Sequence, residues 1–224
     1  MTQDPFTFVW WVAQEGYEFI ENPVELVSSE LLGKDNLKFV APRGDARRPY
    51  RPLDADGLWL RFAETCKDAE GVRAFVNEFG RLGSSEDIQE HRLDRILETA
   101  GILRKIGEHL SGGDRRAAWR LFPTAGLPTV KEVVLWYAKE PERFHYRLIP
   151  VTLRDALLHQ AAEAITGNKR FRRCRNEKCA NWFRLGAQVE NGRPSTITVR
   201  REFCSDRCRV ASARRQKREV SQHA

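Results

Sequence analysis

Three features set the expected fold class: apolar residues spaced three and four apart between residues 55 and 167, short β-rich runs before residue 52, and two close cysteine pairs near the C-terminus. Together they predict a mainly α-helical protein with a small N-terminal β meander. To this is added a C-terminal zinc-ribbon or treble-clef finger, built from a β-hairpin and a basic helix. Composition shifts sharply near residue 168. The expected division is therefore an α-rich domain over 1–167, with strands at 6–52, and a cysteine-bearing finger over 168–224.

Hydrophobic residues make up 41% of the 224, enough for a real core. The apolar run Phe8 to Ala13 is far shorter than the ~20 residues a membrane helix needs. Met1 to Phe6 carries an acid and no basic cluster, unlike a secretory leader. A cytoplasmic protein with no membrane partner is the expectation.

The N-terminal strands are expected at Phe6 to Val12, at Tyr17 to Ile20 after a Gly16 turn, and at Leu37 to Ala41 before the turn-rich Pro42 to Asp45. Pro49 and Pro52 keep the following stretch extended. Trp10 and Trp11 alternate on a strand, so one of them points into the core.

From residue 55 the period becomes helical. Leu58, Leu60, Phe62 and Ala63 open one helix, and Val72, Phe75, Val76 and Phe79 mark a second, stopped by Gly80 and Gly83. Ser84 or Ser85 is expected to cap a long helix with its stripe on Ile88, Leu93, Ile96, Leu97, Ala100, Leu103, Ile106 and Leu110, ended by Gly112-Gly113. Short helices follow at Arg115 to Phe122, closed by Pro123, and at Thr129 to Lys139. Thr152 and Asp155 form a capping-box pattern before Leu153, Leu157, Ala161, Ala164 and Ile165, and Gly167 ends that helix. Cys66 stands alone and reads as a small buried side chain.

Cys174 and Cys179 form a C-x4-C pair, and Cys204 and Cys208 a C-x3-C pair, with 24 residues between the pairs. Each pair supplies two thiolates from one tight turn, which suits tetrahedral zinc. Disulfides, iron and an unmetallated relic are the competing readings of the same four residues. Asn191-Gly192 signals a hairpin, and Thr196 to Phe203 reads as a returning strand. From Ser205 to about Arg218 neither Gly nor Pro interrupts a helix, so Cys204 is expected at its entrance and Cys208 one turn in. Phe171, Trp182, Phe183 and Phe203 flank the ligands and are expected to form the finger's own mini-core. Four thiolates would close the site, giving one structural Zn²⁺ with no position for substrate.

Residues 168–219 hold sixteen Lys and Arg against five Asp and Glu, while the whole chain carries only +7. Arg173, Arg175, Lys178 and Arg207 either neutralise the thiolates or contact a ligand. Arg207, Arg214 and Arg218 fall at i, i+7 and i+11 of the last helix, with Arg209, Arg215 and Lys217 beside them and Arg200 and Arg201 on the preceding strand. Such a stripe is read as the electrostatic footprint of a phosphate backbone, with a merely solvated basic face as the alternative.

FRRCRNEKCANWFRLG followed by FCSDRCRVASARRQKR resembles the C-terminal zinc finger of bacterial proteins known for a CGNR motif, although Arg209-Val210-Ala211 stand after the last cysteine in place of Gly-Asn-Arg. The resemblance implies that Cys174, Cys179, Cys204 and Cys208 are metal ligands, that the arginines after Cys208 face nucleic acid, and that the protein is a transcriptional regulator. Double-stranded DNA is the expected partner. The N-terminal domain would then bind a small-molecule effector or a second subunit, giving a homodimer. RNA binding and docking of an acidic protein partner are the alternatives. No HExxH, Walker loop, G-x-S-x-G or dinucleotide fingerprint is present, and the five histidines are scattered, so no enzymatic role is expected.

Overall fold

The computed structural model of the chain describes residues 8–21, 37–84, 88–138, 143–167, 170–176, 178–179, 182–185, 189–190, 193–194 and 202–222. About half of these are helical, and the rest include five two-stranded antiparallel sheets. The protein is thus mixed α/β where the sequence suggested mainly α. No helix among the described residues is long and apolar enough to cross a membrane.

The first strands are β1 (Trp10–Ala13), β2 (Tyr17–Glu21), β3 (Lys38–Pro42) and β4 (Arg47–Tyr50). They do not form the expected meander, in which each strand would pair with the next. Instead β1 pairs with β4 and β2 with β3, as one long antiparallel ribbon whose register slips at the middle. Gln14 N–H to Ala46 O (2.9 Å) and Arg43 N–H to Gly16 O (2.9 Å) carry the ribbon across that break. Pro49 is tolerated in β4 because a two-stranded ribbon leaves each strand with a free edge. Val12, Ala13, Tyr17, Phe39 and Val40 turn inward, whereas Trp11 is 53% exposed. Trp10 is the inward member of its pair, and its indole N–H donates to Arg81 O at 3.0 Å.

Helix α1 (Leu58–Thr65) sits at the centre and buries Leu58, Trp59, Leu60, Phe62 and Ala63. Gly57 precedes it with φ +70°, and a Cβ there would stand 2.8 Å from the Trp182 Cβ. Only glycine combines that backbone conformation with so close an approach. Helix α2 (Ala69–Phe79) is capped by Asp68, whose carboxylate accepts from Gly71 N–H at 2.8 Å, and it ends at Gly80. Cys66, between the two helices, is buried, and desolvation pushes its thiol upward, which matches an inert packing role.

Helix α3 (Leu93–Ser111) starts later than the serines suggested. Ile88–His91 form a 3₁₀ turn, and Arg92 is extended and bridges to Phe39 of β3. A tertiary backbone contact therefore overrides the apolar period over the first turns. The Arg92 guanidinium grips Asp94 through two bonds of 3.0 and 2.6 Å. Further along α3, Arg104 donates to Ala63 O at 2.9 and 2.7 Å and so holds the C-terminal end of α1. Helix α4 (Arg115–Leu121) then leads into a 3₁₀ turn containing Pro123.

The expected helix at Thr129 to Lys139 is instead strand β5 (Val130–Ala138), paired with β6 (Arg143–Pro150). Three consecutive apolar residues fit a helix face and a strand alike, but β-branched and aromatic side chains favour the pleated sheet. Their alternation settles it: Val133 is 56% exposed and Val134 only 9%.

Helix α5 (Leu153–Thr166) realises the capping box, with Asp155 N–H donating to Thr152 Oγ1 (3.1 Å) and Thr152 N–H to Asp155 Oδ2 (3.1 Å). Within its buried face lies Gln160, which donates to Pro52 O and Ala55 O, each at 3.0 Å, and accepts from Trp59 N–H at 3.4 Å. One side chain thereby satisfies three backbone groups at the start of α1. The main core joins α1, α2, α3 and α5 to the ribbon, and Phe171 and Trp182 from the cysteine-bearing end pack against it.

Candidate metal centre

The last region contains β7 (Arg170–Arg173), β8 (Trp182–Leu185), β9 (Val189–Glu190), β10 (Arg193–Pro194) and α6 (Asp206–Gln222). β7 and β8 pair around the first cysteine pair, a hairpin the sequence did not announce. β9 and β10 pair with Arg193 opposite Glu190, as expected on either side of Asn191-Gly192. The expected strand at Thr196 to Phe203 lies mostly outside the described residues, as do Arg200 and Arg201.

Asn176 shapes the first turn. Its carbonyl accepts from Cys179 N–H at 2.7 Å, and its side-chain oxygen accepts from Lys178 N–H at 3.3 Å. These bonds fold the chain back so that Cys174 and Cys179 face the same point. Arg175 N–H then donates to Glu202 O (2.9 Å), and the Arg175 guanidinium meets the Glu202 carboxylate at 2.7 Å. Both contacts bring the segment leading to Cys204 against the turn. Ser205 accepts from Cys208 N–H at 3.3 Å and so caps α6, which places Cys208 in its first turn.

The result is a cluster in which all four Sγ atoms lie within 4.8 Å of one another, with Cys179 to Cys204 at 3.6 Å and Cys204 to Cys208 at 3.5 Å. No pair is joined as a disulfide. Four thiolates around a tetrahedral zinc with bonds of about 2.3 Å stand roughly 3.8 Å apart. The sulfur spacing therefore suits one zinc ion, and the donor set suits a soft or borderline cation. Cys174 is buried and the other three are half-buried, so the cluster is shielded without being sealed.

The electrostatics ask for a cation. The Cys208 thiol is lowered to about 7, first by its hydrogen bond with Ser205 and then by that with Cys204. Cys204 is raised to about 12, first by desolvation and then by the hydrogen bonds it shares with Cys208, Cys179 and Cys174. One sulfur anion is welcomed by its neighbours, and the next is opposed. Binding of a divalent cation removes that opposition.

The surrounding charges are only partly where the sequence suggested. Arg173 pairs with Glu64 of α1 at 3.6 Å, and Arg175 with Glu202, so both are engaged by carboxylates of the chain itself. Glu64 also accepts from the Trp182 indole N–H at 3.1 Å. Phe171 meets the Trp59 ring edge-on with centroids 6.3 Å apart. Phe171 and Trp182 therefore extend the main core, where a separate mini-core was expected of them.

On α6, Arg207, Arg209 and Arg214 are exposed. Arg209 pairs with Asp206 at 3.1 Å. Arg215 departs from the expected outward face: it is half-buried, and its guanidinium donates to Asn176 Oδ1 at 2.8 Å. It shares the inner side of α6 with Cys208 and Ser212, and fastens the helix to the first cysteine turn. Lys217 and Arg218 belong to α6, but their side chains are not among those described. Sequence reasoning assigned no role to Glu64 or Glu202, whose partners are remote in the chain, or to Asn176, which adds the remote Arg215 to its two local bonds. Ser205 was read only as the start of the helical stretch, although a serine just before a helix is a capping signal.

No protein-family model matches the chain, and a search of the curated proteins returns no match. What remains of the resemblance to the bacterial fingers is a four-cysteine cluster near the C-terminus with the dimensions of a zinc site.

Proposed function

We propose that the protein binds one structural zinc ion through Cys174, Cys179, Cys204 and Cys208, and uses the helix that follows to bind nucleic acid, double-stranded DNA in the first place, as a regulator of transcription. One observation carries the reading. The metal cluster holds α6 by one side, through Cys208 and Arg215, and leaves Arg207, Arg209 and Arg214 exposed. Arg207 and Arg214 stand roughly 100° round the axis from Cys208 on a helix of ~3.6 residues per turn. A helix docked on one side and cationic elsewhere can lie along a groove and meet phosphates. With all four zinc positions filled by sulfur, the ion would be structural and not catalytic. The region before residue 168 would sense an effector or join a second subunit.

The test is binding of the zinc-loaded chain to duplex DNA across a salt series. Neutralising about five phosphates gives a slope of log affinity against log salt near −4.5, at ~0.9 per phosphate. Arg207→Ala/Arg214→Ala should make that slope shallower by about 2, with unchanged zinc content. Binding that ignores both salt and the double substitution rules the reading out. A second reading, docking of an acidic protein partner, draws on Val210, an apolar residue 43% exposed among the arginines of α6. Under that reading added DNA does not displace the partner.

A further inference from the structure

Helix α2 ends at Gly80, where a Cβ would stand 2.9 Å from Trp11 O, so the chain leaves the helix hard against β1. The Trp10 indole fixes this passage through its bond to Arg81 O. Arg81 is thereby laid beside the ribbon, where a cavity of about 150 Å³ opens among Trp10, Trp11, Tyr17, Arg47, Arg81 and Ser84. That is below the ~300 Å³ at which sites for organic molecules begin, and it equals about five water volumes. A small ion fits it.

The charged residues of the lining are both arginines, and no carboxylate joins them there. Arg81 is half-buried, yet its guanidinium makes no ion pair and no hydrogen bond among the described residues. Arg47 donates to Gly44 O and Ala46 O, both through Nη1, and it too meets no carboxylate within ion-pair distance. Two carbonyl dipoles thus occupy one nitrogen of its fork and leave its charge unbalanced. Burial pushes the Arg81 guanidinium below its ordinary value, Tyr17 opposes that shift, and the like charge of Arg47 adds to it. A guanidinium does not shed its proton at ordinary pH, so neutralisation offers no escape. An anion held between the two cations does. Each guanidinium presents parallel N–H groups to a pair of oxygens. A carboxylate has one such pair, whereas a tetrahedral oxyanion can offer a pair to each arginine.

We propose that this cavity binds a phosphate dianion, free or as the end group of a phosphomonoester, between the guanidinium groups of Arg81 and Arg47. The Ser84 hydroxyl adds a neutral donor to the wall. Trp11, a lining residue 53% exposed, gives an ester group an aromatic face on the solvent side. The inference gives a chemical class to the effector in the sensing role proposed above. It is tested without nucleic acid, so its failure leaves DNA binding untouched, and failure of DNA binding leaves it standing.

The experiment titrates the zinc-loaded full chain with inorganic phosphate, phenyl phosphate and acetate at matched ionic strength. Binding is read by calorimetry and by the Trp10 indole N–H resonance, assigned with Trp10→Phe, because that N–H bonds the carbonyl of Arg81. Phosphate is expected to move the resonance and to bind about tenfold more tightly than acetate. Arg81→Gln should weaken phosphate about tenfold. Arg120→Ala, which removes an exposed cation of α4, should leave phosphate binding unchanged. Phenyl phosphate binding as well as phosphate identifies a phosphomonoester as the ligand, and its exclusion identifies the free anion. An unmoved Trp10 resonance at roughly 10 mM phosphate, acetate equal to phosphate, or indifference to Arg81→Gln each overturns the proposal. Should Arg81→Gln not fold, the anion comparison and Arg47→Gln, with the same expected loss, still decide it.

Discussion

Gly57 and Gly113 share a left-handed backbone, with φ +70° and +84°, but not their surroundings. A methyl group at Gly57 meets the Trp182 Cβ at 2.8 Å and Phe171 Cδ1 at 3.3 Å, whereas one at Gly113 meets nothing within 4 Å. The pair separates backbone strain from packing. Gly113→Ala carries the conformational term alone, about 1–2 kcal/mol. Gly57→Ala carries the same term and adds the displacement of β8 from α1, about 1–3 kcal/mol for overpacking. Urea unfolding of the zinc-loaded chain should therefore place Gly57→Ala about 2–5 kcal/mol below the parent and clearly below Gly113→Ala. Thermal melts should follow the same order, at roughly 2–4 °C per kcal/mol for a chain of this size. Zinc content should stay the same in both variants, because neither residue touches a ligand. Equal losses for the two alanines would refute the reasoning, since they would mean that β8 does not press on the start of α1.

Other expectations follow from the metal centre and from the core. Cys208→Ser should reduce bound zinc from one per chain to a small fraction, read by metal analysis, because three thiolates bind a tetrahedral ion far less tightly. Apparent zinc affinity should fall with falling pH, since the ion binds the deprotonated sulfurs. The fall should steepen below about 7, where the Cys208 thiol must also surrender its proton, and a chromophoric chelator in competition measures it. Gln160→Ala should cost about 1–3 kcal/mol in urea unfolding, because it leaves the buried Trp59 N–H without its acceptor, while Pro52 O and Ala55 O each keep one backbone donor. A loss under 1 kcal/mol, an order-of-magnitude bound, would show that this N–H finds another partner.

What could be read in advance was whatever depends on neighbours in the chain. Thr152 and Asp155 are three residues apart, and their reciprocal capping bonds appear as expected. The cysteine spacings likewise announced a cluster, because each pair is brought together by one local turn. The start of α3 failed for the opposite reason: Arg92 is extended where it meets Phe39, more than fifty residues earlier. Strand β5 was misread because Val133, Val134 and Tyr137 fit a helical face, and only the partner strand distinguishes the two patterns. Arg215 looked like one more outward cation until Asn176, 39 residues before it, claimed its guanidinium. Charge along a helix indicates how many cations there are, and tertiary contacts decide which of them remain available.

Glu64 decides where the gene can be cut. This single carboxylate on α1 reaches both Arg173 and the Trp182 indole, one on each arm of the hairpin around the first cysteine pair. A fragment starting at the obvious basic boundary would leave Glu64 and Trp59 behind, and Phe171 and Trp182 would be laid bare to water. Scissors placed by composition alone would sever the finger from the floor it stands on.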